Sequence, residues 1–152
     1  MKQLLCACIL MAWVGWPAIA ASAPTDESAG TIVVTAVGIR TGEGGSLIFA
    51  LYKDEASWLD EDKTFLRKVV QATSDSMTVV FEGVPYDSTY AVEIIHDKND
   101  NGKLDMRKFP YPRPKEGGGV SNNTFRLGPP AYDKARFVLA GPAVSVRIGM
   151  RY

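Results

Sequence analysis

Residues 144–151 read Val-Ser-Val-Arg-Ile-Gly-Met-Arg, the most regular stretch of this chain. Apolar and polar or small residues alternate with a period of two, and successive side chains on a β-strand point to opposite faces. The stretch therefore predicts a strand with one buried face and one face in water. The apolar residues predicted to face the core are Val144, Val146, Ile148 and Met150.

Similar short segments recur through the rest of the chain. They are rich in β-branched and aromatic residues, and turn-forming Gly, Pro, Asp and Ser separate them. The segment 65–72 also fits a helical face, but its neighbours favour a strand. The predicted strands cover residues 31–37, 46–52, 65–72, 77–84, 89–96, 135–139 and 144–151.

These segments predict an all-β fold. Strands 31–37 and 46–52 are expected to pair as a hairpin across the glycine-rich turn 42–45, and strands 77–84 and 89–96 as another. About seven strands without a long helix predict a single antiparallel β-sandwich of immunoglobulin-like or transthyretin-like kind, with one long ordered loop.

The N-terminus has the composition of an export signal. An apolar run follows Lys2 and ends in Ala18-Ile19-Ala20, the small-residue pattern that signal peptidase accepts. We predict a cleaved signal peptide over residues 1–20, a flexible tether over 21–30 and one β-sandwich domain over 31–152. The alternatives are an uncleaved anchor, because the run is nearly long enough to cross a bilayer, and a lipid-modified Cys8.

The predicted export and the net charge limit the classes of function that this chain can have. The predicted cleavage would remove both cysteines, Cys6 and Cys8, and would leave a periplasmic or extracellular chain without a thiol or a transmembrane segment. The whole chain has 17 basic and 17 acidic residues, so its net charge does not favour nucleic acid as a partner.

Residues 97–105 read Asp-Lys-Asn-Asp-Asn-Gly-Lys-Leu-Asp, and we call them the polar loop. Oxygen-bearing side chains at positions one, three, five and nine, with glycine at six, match a calcium-binding loop. The fourth residue, Asp100, is expected to point outward. Position twelve is Lys108 instead of the usual Glu, so a weak calcium site completed by Glu116 or Asp133 is predicted. The predicted ligands are Asp97, Asn99, Asn101, the backbone carbonyl of Lys103, Asp105 and Glu116.

A turn held by its own side-chain hydrogen bonds is the alternative for the polar loop. The next residues, 109–115, alternate proline with aromatic and basic residues, which predicts a stiff, extended segment at the surface. Residues 116–123 add glycine flexibility and polar side chains. The mixture suits stacking on sugars or holding anionic groups, although an ordinary solvated rim has the same composition. The predicted binding surface is Phe109, Tyr111, Arg113, Ser121, Asn122 and Asn123.

A hydrolytic site is the least favoured interpretation. His96 is the only histidine, and Ser121 follows it in the chain. Adjacent residues on a strand point to opposite faces, so Asp97 is badly placed to orient the His96 ring. A nucleophile elbow of the Gly-x-Ser-x-Gly type is also missing from the sequence. We therefore predict no enzyme and no catalytic residues.

Several motifs in order along the chain resemble the domain-of-unknown-function family numbered 2141. The resemblance covers roughly residues 31–152 and implies a small exported bacterial β-sandwich protein, with no established activity to transfer. The chain departs from the family at Gly118, where an aromatic residue is common. The matching motifs are Tyr90-Ala91-Val92, residues 96–105, residues 116–123, Gly128-Pro129-Pro130 and Ala135-x-Phe137.

Together these observations predict a non-catalytic exported envelope module. Its calcium-ordered loop would present a surface to an envelope glycan or to another envelope protein. A purely structural envelope protein is the first alternative, and a hydrolase using His96 and Ser121 is the second.

Overall fold

The computed structural model describes residues 29–123 and 128–152. The predicted signal peptide and most of the predicted tether lie outside the described residues. Ala29 and Gly30, which were expected in the tether, instead belong to the first strand, where they pair with Pro85 and Val84.

The prediction of an all-β fold is confirmed. Within the described ranges the one α-helix, α1 (Tyr132–Ala135), has four residues, and no helix is long and apolar enough to cross a bilayer. Single turns of 3-10 helix occur at Thr41–Glu43, Glu61–Lys63 and Ser121–Asn123. The other elements are β1 (Ala29–Val37), β2 (Ser46–Tyr52), β3 (Leu66–Gln71), β4 (Ser76–Pro85), β5 (Ser88–Asp97), β6 (Met106–Arg107), β7 (Arg113–Pro114), β8 (Gly117–Val120), α1 (Tyr132–Ala135), β9 (Phe137–Leu139) and β10 (Ala143–Gly149).

The strands form two main sheets and a small ribbon. One sheet has the order β10-β1-β4, and the other has the order β3-β2-β5-β8 with β9 paired to the start of β5. The expectation of purely antiparallel pairing is wrong, because β1 and β10 run parallel. Among the residues that the structure describes, the short strands β6 and β7 pair only with each other.

Both predicted hairpins are also wrong. The strands β1 and β2 lie in different sheets, and so do β4 and β5. Residues 38–45 and the turn at Tyr86 and Asp87 therefore carry the chain from one sheet to the other. The alternating pattern specifies which residues are buried, and strands of both sheets need the same pattern, so it does not specify partners.

The main core is a single cluster of buried side chains. Side chains from β1, β4 and β10 form one cluster with side chains from β2, β5 and β9, and Ile148 is fully buried in it. Val144, Val146 and Met150 are half-buried against that cluster, which confirms the predicted inner face of β10. Other fully buried members include Ile32, Val34, Leu47, Phe49, Leu51, Val92, Ile94 and Leu139.

A second, smaller cluster covers the outer face of the five-stranded sheet. Tyr132 and Ala135 of α1 pack with Ala91 of β5, and Trp58 packs against them. The Trp58 ring also meets the Tyr52 ring edge-on at 5.2 Å, and its N–H donates to the Pro130 carbonyl at 2.7 Å. Tyr52 is fully buried there, and the other residues of β2 are buried as well.

Candidate functional site

The last residue of β5 organises the polar loop. Asp97 is buried, and its Oδ1 accepts the backbone N–H of Asn101 at 3.2 Å. Its Oδ2 accepts the backbone N–H of Gly102 at 2.6 Å. The backbone turns at Asp100 and Gly102, which have φ angles of 54° and 84°. The Asp97 carboxylate thus caps a tight turn at the end of the sheet.

The structure brings the other predicted side-chain ligands to the same turn. The amide nitrogens of Asn99 and Asn101 donate to the two carboxylate oxygens of Asp105, at 3.0 and 3.2 Å. The Asn101 side-chain oxygen accepts the N–H of Lys103 at 3.1 Å. Two carboxylates and two amides therefore lie around one loop of nine residues.

Of the two proposed extra carboxylates, Glu116 reaches the polar loop. It is 5% exposed, and its Oε1 accepts the Lys98 N–H at 3.0 Å while its Oε2 accepts the Asp105 N–H at 2.9 Å. The expectation for Asp133 is wrong. Asp133 lies on α1, which packs beside Ala91 of β5. Ala91 precedes Asp97 by six residues on that strand, which is a distance of about 20 Å.

The donor set fits a hard cation only in part. Among residues 29–123 and 128–152, no three acidic, histidine or cysteine side chains converge as metal ligands. Calcium would therefore depend on amide and backbone oxygens as well as on carboxylates. The side-chain nitrogens of Asn99 and Asn101 now face Asp105. To bind calcium, both amide groups would have to rotate so that their oxygens face the ion instead. The carboxylates can accept N–H bonds and still ligate an ion, because each oxygen has two lone pairs.

The polar loop is tied to the five-stranded sheet. Asp100 is exposed, and its Oδ1 accepts the Ser46 hydroxyl at 2.6 Å. The left-handed backbone conformation at Asp100 accompanies its turn towards β2. Arg67 donates to the Gly102 carbonyl at 2.6 Å, and the Leu104 N–H donates to Glu61 at 2.9 Å.

Residues 106–115, which we call the hairpin, project from this loop. In the antiparallel pair β6–β7 the backbone of Arg107 lies opposite that of Arg113, and the Lys115 N–H donates to the Asp105 carbonyl at 2.9 Å. The expected extended segment thus folds back on itself, because the hydrogen bonds at its base join its two ends. The predicted surface position is confirmed, since Phe109 is 85% exposed and Tyr111 is 62% exposed.

Two other residues of the predicted binding surface have structural roles. Ser121 is fully buried; its hydroxyl accepts the Val92 N–H at 2.9 Å and donates to the Ala135 carbonyl at 2.6 Å. Asn122 donates to the carbonyls that end α1, at 3.0 to 3.3 Å. These side chains fasten α1 to the end of β8. Full burial contradicts the predicted surface position of Ser121, whereas Asn122 is exposed and stays a predicted surface residue. The Asn123 side chain lies outside the described residues.

The glycines at 117–119 allow close packing rather than flexibility. They form most of β8, and a Cβ at Gly117 would overlap the Tyr152 ring. A Cβ at Gly119 would lie 2.7 Å from Ile148 Cγ2. A Cβ at Gly118 would meet only the Ile94 carbonyl, at 3.8 Å. The C-terminal residues therefore pack directly against the backbone of β8.

His96 is enclosed in a hydrogen-bonded chain. Its Nε2 lies 2.7 Å from the Gly44 carbonyl, which can only accept, so Nε2 is the donor of this hydrogen bond. Nδ1 then accepts the Tyr152 hydroxyl at 2.8 Å, and that oxygen accepts the Arg40 N–H at 2.9 Å. Burial raises the pKa of Tyr152, which keeps its hydroxyl protonated.

The structure does not bring His96 and Ser121 together. His96 is paired with Gly117, and Ser121 follows β8 opposite Val92, four residues away along β5. That separation is about 13 Å at the rise of a β-strand. Each side chain also has structural partners of its own, so the geometry offers no nucleophile and base pair from these two residues.

A buried carboxyl that the sequence analysis did not single out lies on the outer face of β5. Glu93 is 8% exposed, and its Oε2 accepts the Tyr52 hydroxyl at 3.1 Å. Burial raises the pKa of Glu93 from its ordinary 4.5 to about 7; the Tyr52 hydrogen bond lowers it, and the Glu61 charge raises it. In the sequence, the feature that indicates this buried carboxyl is an acidic residue inside the otherwise apolar run of residues 91–95.

These features define a class: a small all-β protein whose sheet carries a polar loop and a projecting hairpin. The chain belongs to the family described as "Uncharacterized protein conserved in bacteria (DUF2141)", whose model matches residues 34–147. This match confirms the family that the sequence motifs indicated, and it includes the polar loop and the hairpin. No curated protein and no solved structure matches the chain.

Proposed function

We propose that this chain is a non-catalytic module of the bacterial envelope that presents the hairpin as a binding surface for an envelope glycan or protein. The observation that carries the proposal is the contrast between the hairpin and its base. The base is fixed by the buried Glu116 carboxylate, whereas Phe109 and Tyr111 at the tip are exposed. A fixed base with exposed aromatic side chains suits recognition, because the entropy cost of ordering the hairpin on binding is small.

Export is part of this proposal. Its support is the apolar N-terminal run ending in Ala18-Ile19-Ala20, together with membership of a bacterial family. We also infer that the two sheets form a β-sandwich of immunoglobulin-like or transthyretin-like kind. The single core cluster to which both sheets contribute supports this architecture.

We further propose that calcium binds weakly to the polar loop. The turn is surrounded by the side chains of Asp97, Asn99, Asn101 and Asp105, and Glu116 lies against it. The expected backbone ligand is the carbonyl of Lys103. With two loop carboxylates and no bidentate twelfth residue, a dissociation constant of about 10⁻⁴–10⁻³ M is expected. Calcium would then stiffen the base of the hairpin in a calcium-rich exterior.

A thermal titration of the mature protein tests the calcium proposal. Raising calcium to about 10 mM, above the weak end of the expected range, should raise the melting temperature and slow tryptic cleavage of the hairpin. Asp105→Asn should lose most of the effect, because a neutral amide replaces an ionic ligand. Asp62→Asn, at an exposed position in the turn Glu61–Lys63, is the matched control.

No response in the wild-type protein would refute the calcium proposal and leave a loop held by its own hydrogen bonds. Capture on glycan arrays or immobilised envelope proteins tests the binding surface itself. Tyr111→Ala should abolish capture, whereas Val138→Ala should not, although Val138 is 53% exposed on β9. Equal capture by both variants would favour a purely structural protein.

A further inference from the structure

The hairpin concentrates exposed apolar side chains at one place. Phe109 and Tyr111 are the two most exposed large hydrophobic residues of the described chain, at 85% and 62%. Met106, on the same hairpin, is 45% exposed. A single exposed apolar residue is ordinary on a protein surface, but three on ten residues are typical of an interaction site.

The hairpin is also strongly basic. It has four cationic side chains and no acidic one between residues 106 and 115, and all ten residues are exposed. None of the ion pairs found in residues 29–123 and 128–152 involves these cations. The hairpin therefore presents positive charge directly beside its aromatic tip. The cations are Arg107, Lys108, Arg113 and Lys115.

The shape of the hairpin favours a flat or soft partner. It is a projecting two-stranded ribbon, and the prolines at 110, 112 and 114 restrict its backbone. Two surface pockets, of about 400 and 330 Å³, are lined by residues of β1, β2, β3, β10 and the polar loop rather than by the hairpin. Small ligands prefer concave sites, whereas a convex tip can enter a lipid interface.

We propose that the hairpin docks this protein reversibly on an anionic lipid bilayer. Phe109 and Tyr111 enter the interface, where aromatic rings are favourable, and the four cations approach lipid phosphates. The Glu116 carboxylate sets the direction of docking, because it holds both ends of the hairpin to the polar loop. This inference rests on the proposed function in one respect, namely that the hairpin is the binding surface.

Vesicle flotation with the mature protein tests the inference. Binding is expected to vesicles of phosphatidylcholine containing phosphatidylglycerol, to weaken as sodium chloride screens the charges, and to be much weaker with phosphatidylcholine alone. Arg107→Gln and Lys108→Gln should each reduce the affinity about fivefold. Phe109→Ala should reduce it on the order of tenfold. The matched controls are Lys134→Gln and Val138→Ala, which remove an exposed cation and an exposed apolar group elsewhere.

Fluorescence gives a direct measurement of the tip. Phe109→Trp should show a blue-shifted emission on addition of the anionic vesicles, whereas Val138→Trp should not. Both mutated positions are exposed, so the substitutions should leave the free energy of unfolding unchanged. A variant that loses vesicle binding but keeps this stability has lost a surface contact and is not misfolded.

Salt-insensitive binding, equal binding to neutral vesicles, or equal affinity of the Phe109 and Val138 variants would each overturn the lipid inference. If vesicles do not bind but Tyr111→Ala abolishes capture by a glycan or protein, the lipid inference fails and the proposed function stands. If neither vesicle binding nor glycan or protein capture depends on the hairpin, both fail.

Discussion

Glu116 Oε2 accepts the backbone N–H of Asp105 at 2.9 Å, across the ten residues of the hairpin that separate them. The other oxygen of the same carboxylate accepts the Lys98 N–H at 3.0 Å. One buried side chain therefore joins the start of the polar loop, its end and the return of the hairpin. This arrangement holds an exposed segment, which has little core of its own, in one place.

Glu116→Gln should loosen this junction. The amide keeps one acceptor oxygen, but its NH₂ group would face a backbone N–H, leaving a buried donor without a partner. A cost of about 1–3 kcal/mol in unfolding free energy is expected. Urea unfolding measures the loss, and trypsin should cut faster after Lys108. Glu82→Gln, at an exposed position of β4, is the control and should change neither.

The glycines of β8 should differ sharply in their tolerance of a methyl group. Gly117→Ala would push a Cβ into the Tyr152 ring, and overpacking of this kind costs about 1–3 kcal/mol. Gly118→Ala has room and should be nearly neutral. Chemical denaturation of both variants measures the difference. Similar stabilities would contradict the close packing of Tyr152 on β8.

Ile148→Ala should be among the more damaging changes in the core. Ile148 is fully buried in β10, so the substitution removes buried methyl groups and leaves a cavity, at a cost of about 2–5 kcal/mol. Ser145→Ala, on the exposed face of the same strand, should change stability little. Equal small effects in urea unfolding would mean that β10 does not pack as described.

Glu93 should make stability fall as pH rises. Burial raises the pKa of this carboxyl to about 7 in the folded protein, so the folded state binds its proton more tightly than the unfolded chain does. The stabilisation is fully present below about pH 4.5 and is lost as pH rises through about 7, a total on the order of 3 kcal/mol.

Glu93→Gln should remove most of that pH dependence, since the amide stays neutral. Urea unfolding at intervals from about pH 5 to about pH 8, a window that spans the folded-state pKa of about 7, compares the two proteins. Glu82→Gln serves as an exposed control and should keep the wild-type profile. Parallel profiles for wild type and Glu93→Gln would show that Glu93 does not titrate in this window.

Local patterns predicted the strands well because burial on a strand alternates from one residue to the next. The face of β10 that carries Ile148, the edge strand β3 and the turn at Gly102 all agree with the sequence. The predicted loop residues Asp97, Asn99, Asn101 and Asp105 also meet, since a nine-residue segment leaves them few other arrangements.

Pairing between distant segments could not be read in the same way. Both β1 and β2 carry apolar residues at every second position, yet the first strand pairs with β10 and the second with β5. Ser121 and Asn122 resemble a polar surface in the sequence, but α1 supplies backbone carbonyls that bind both of them. A side chain near a segment that folds over it cannot be distinguished locally from one facing water.

By itself, the sequence determined an all-β chain of this bacterial family, with buried strand faces and a loop rich in oxygen donors. Each of these properties depends on residues close together in the chain, where periodicity and spacing act directly. Only the tertiary structure decided that Glu116 rather than Asp133 reaches the loop, and that the proline-rich segment folds into a hairpin. Those outcomes depend on hydrogen bonds that the folded backbone brings within reach, and neither periodicity nor spacing specifies them.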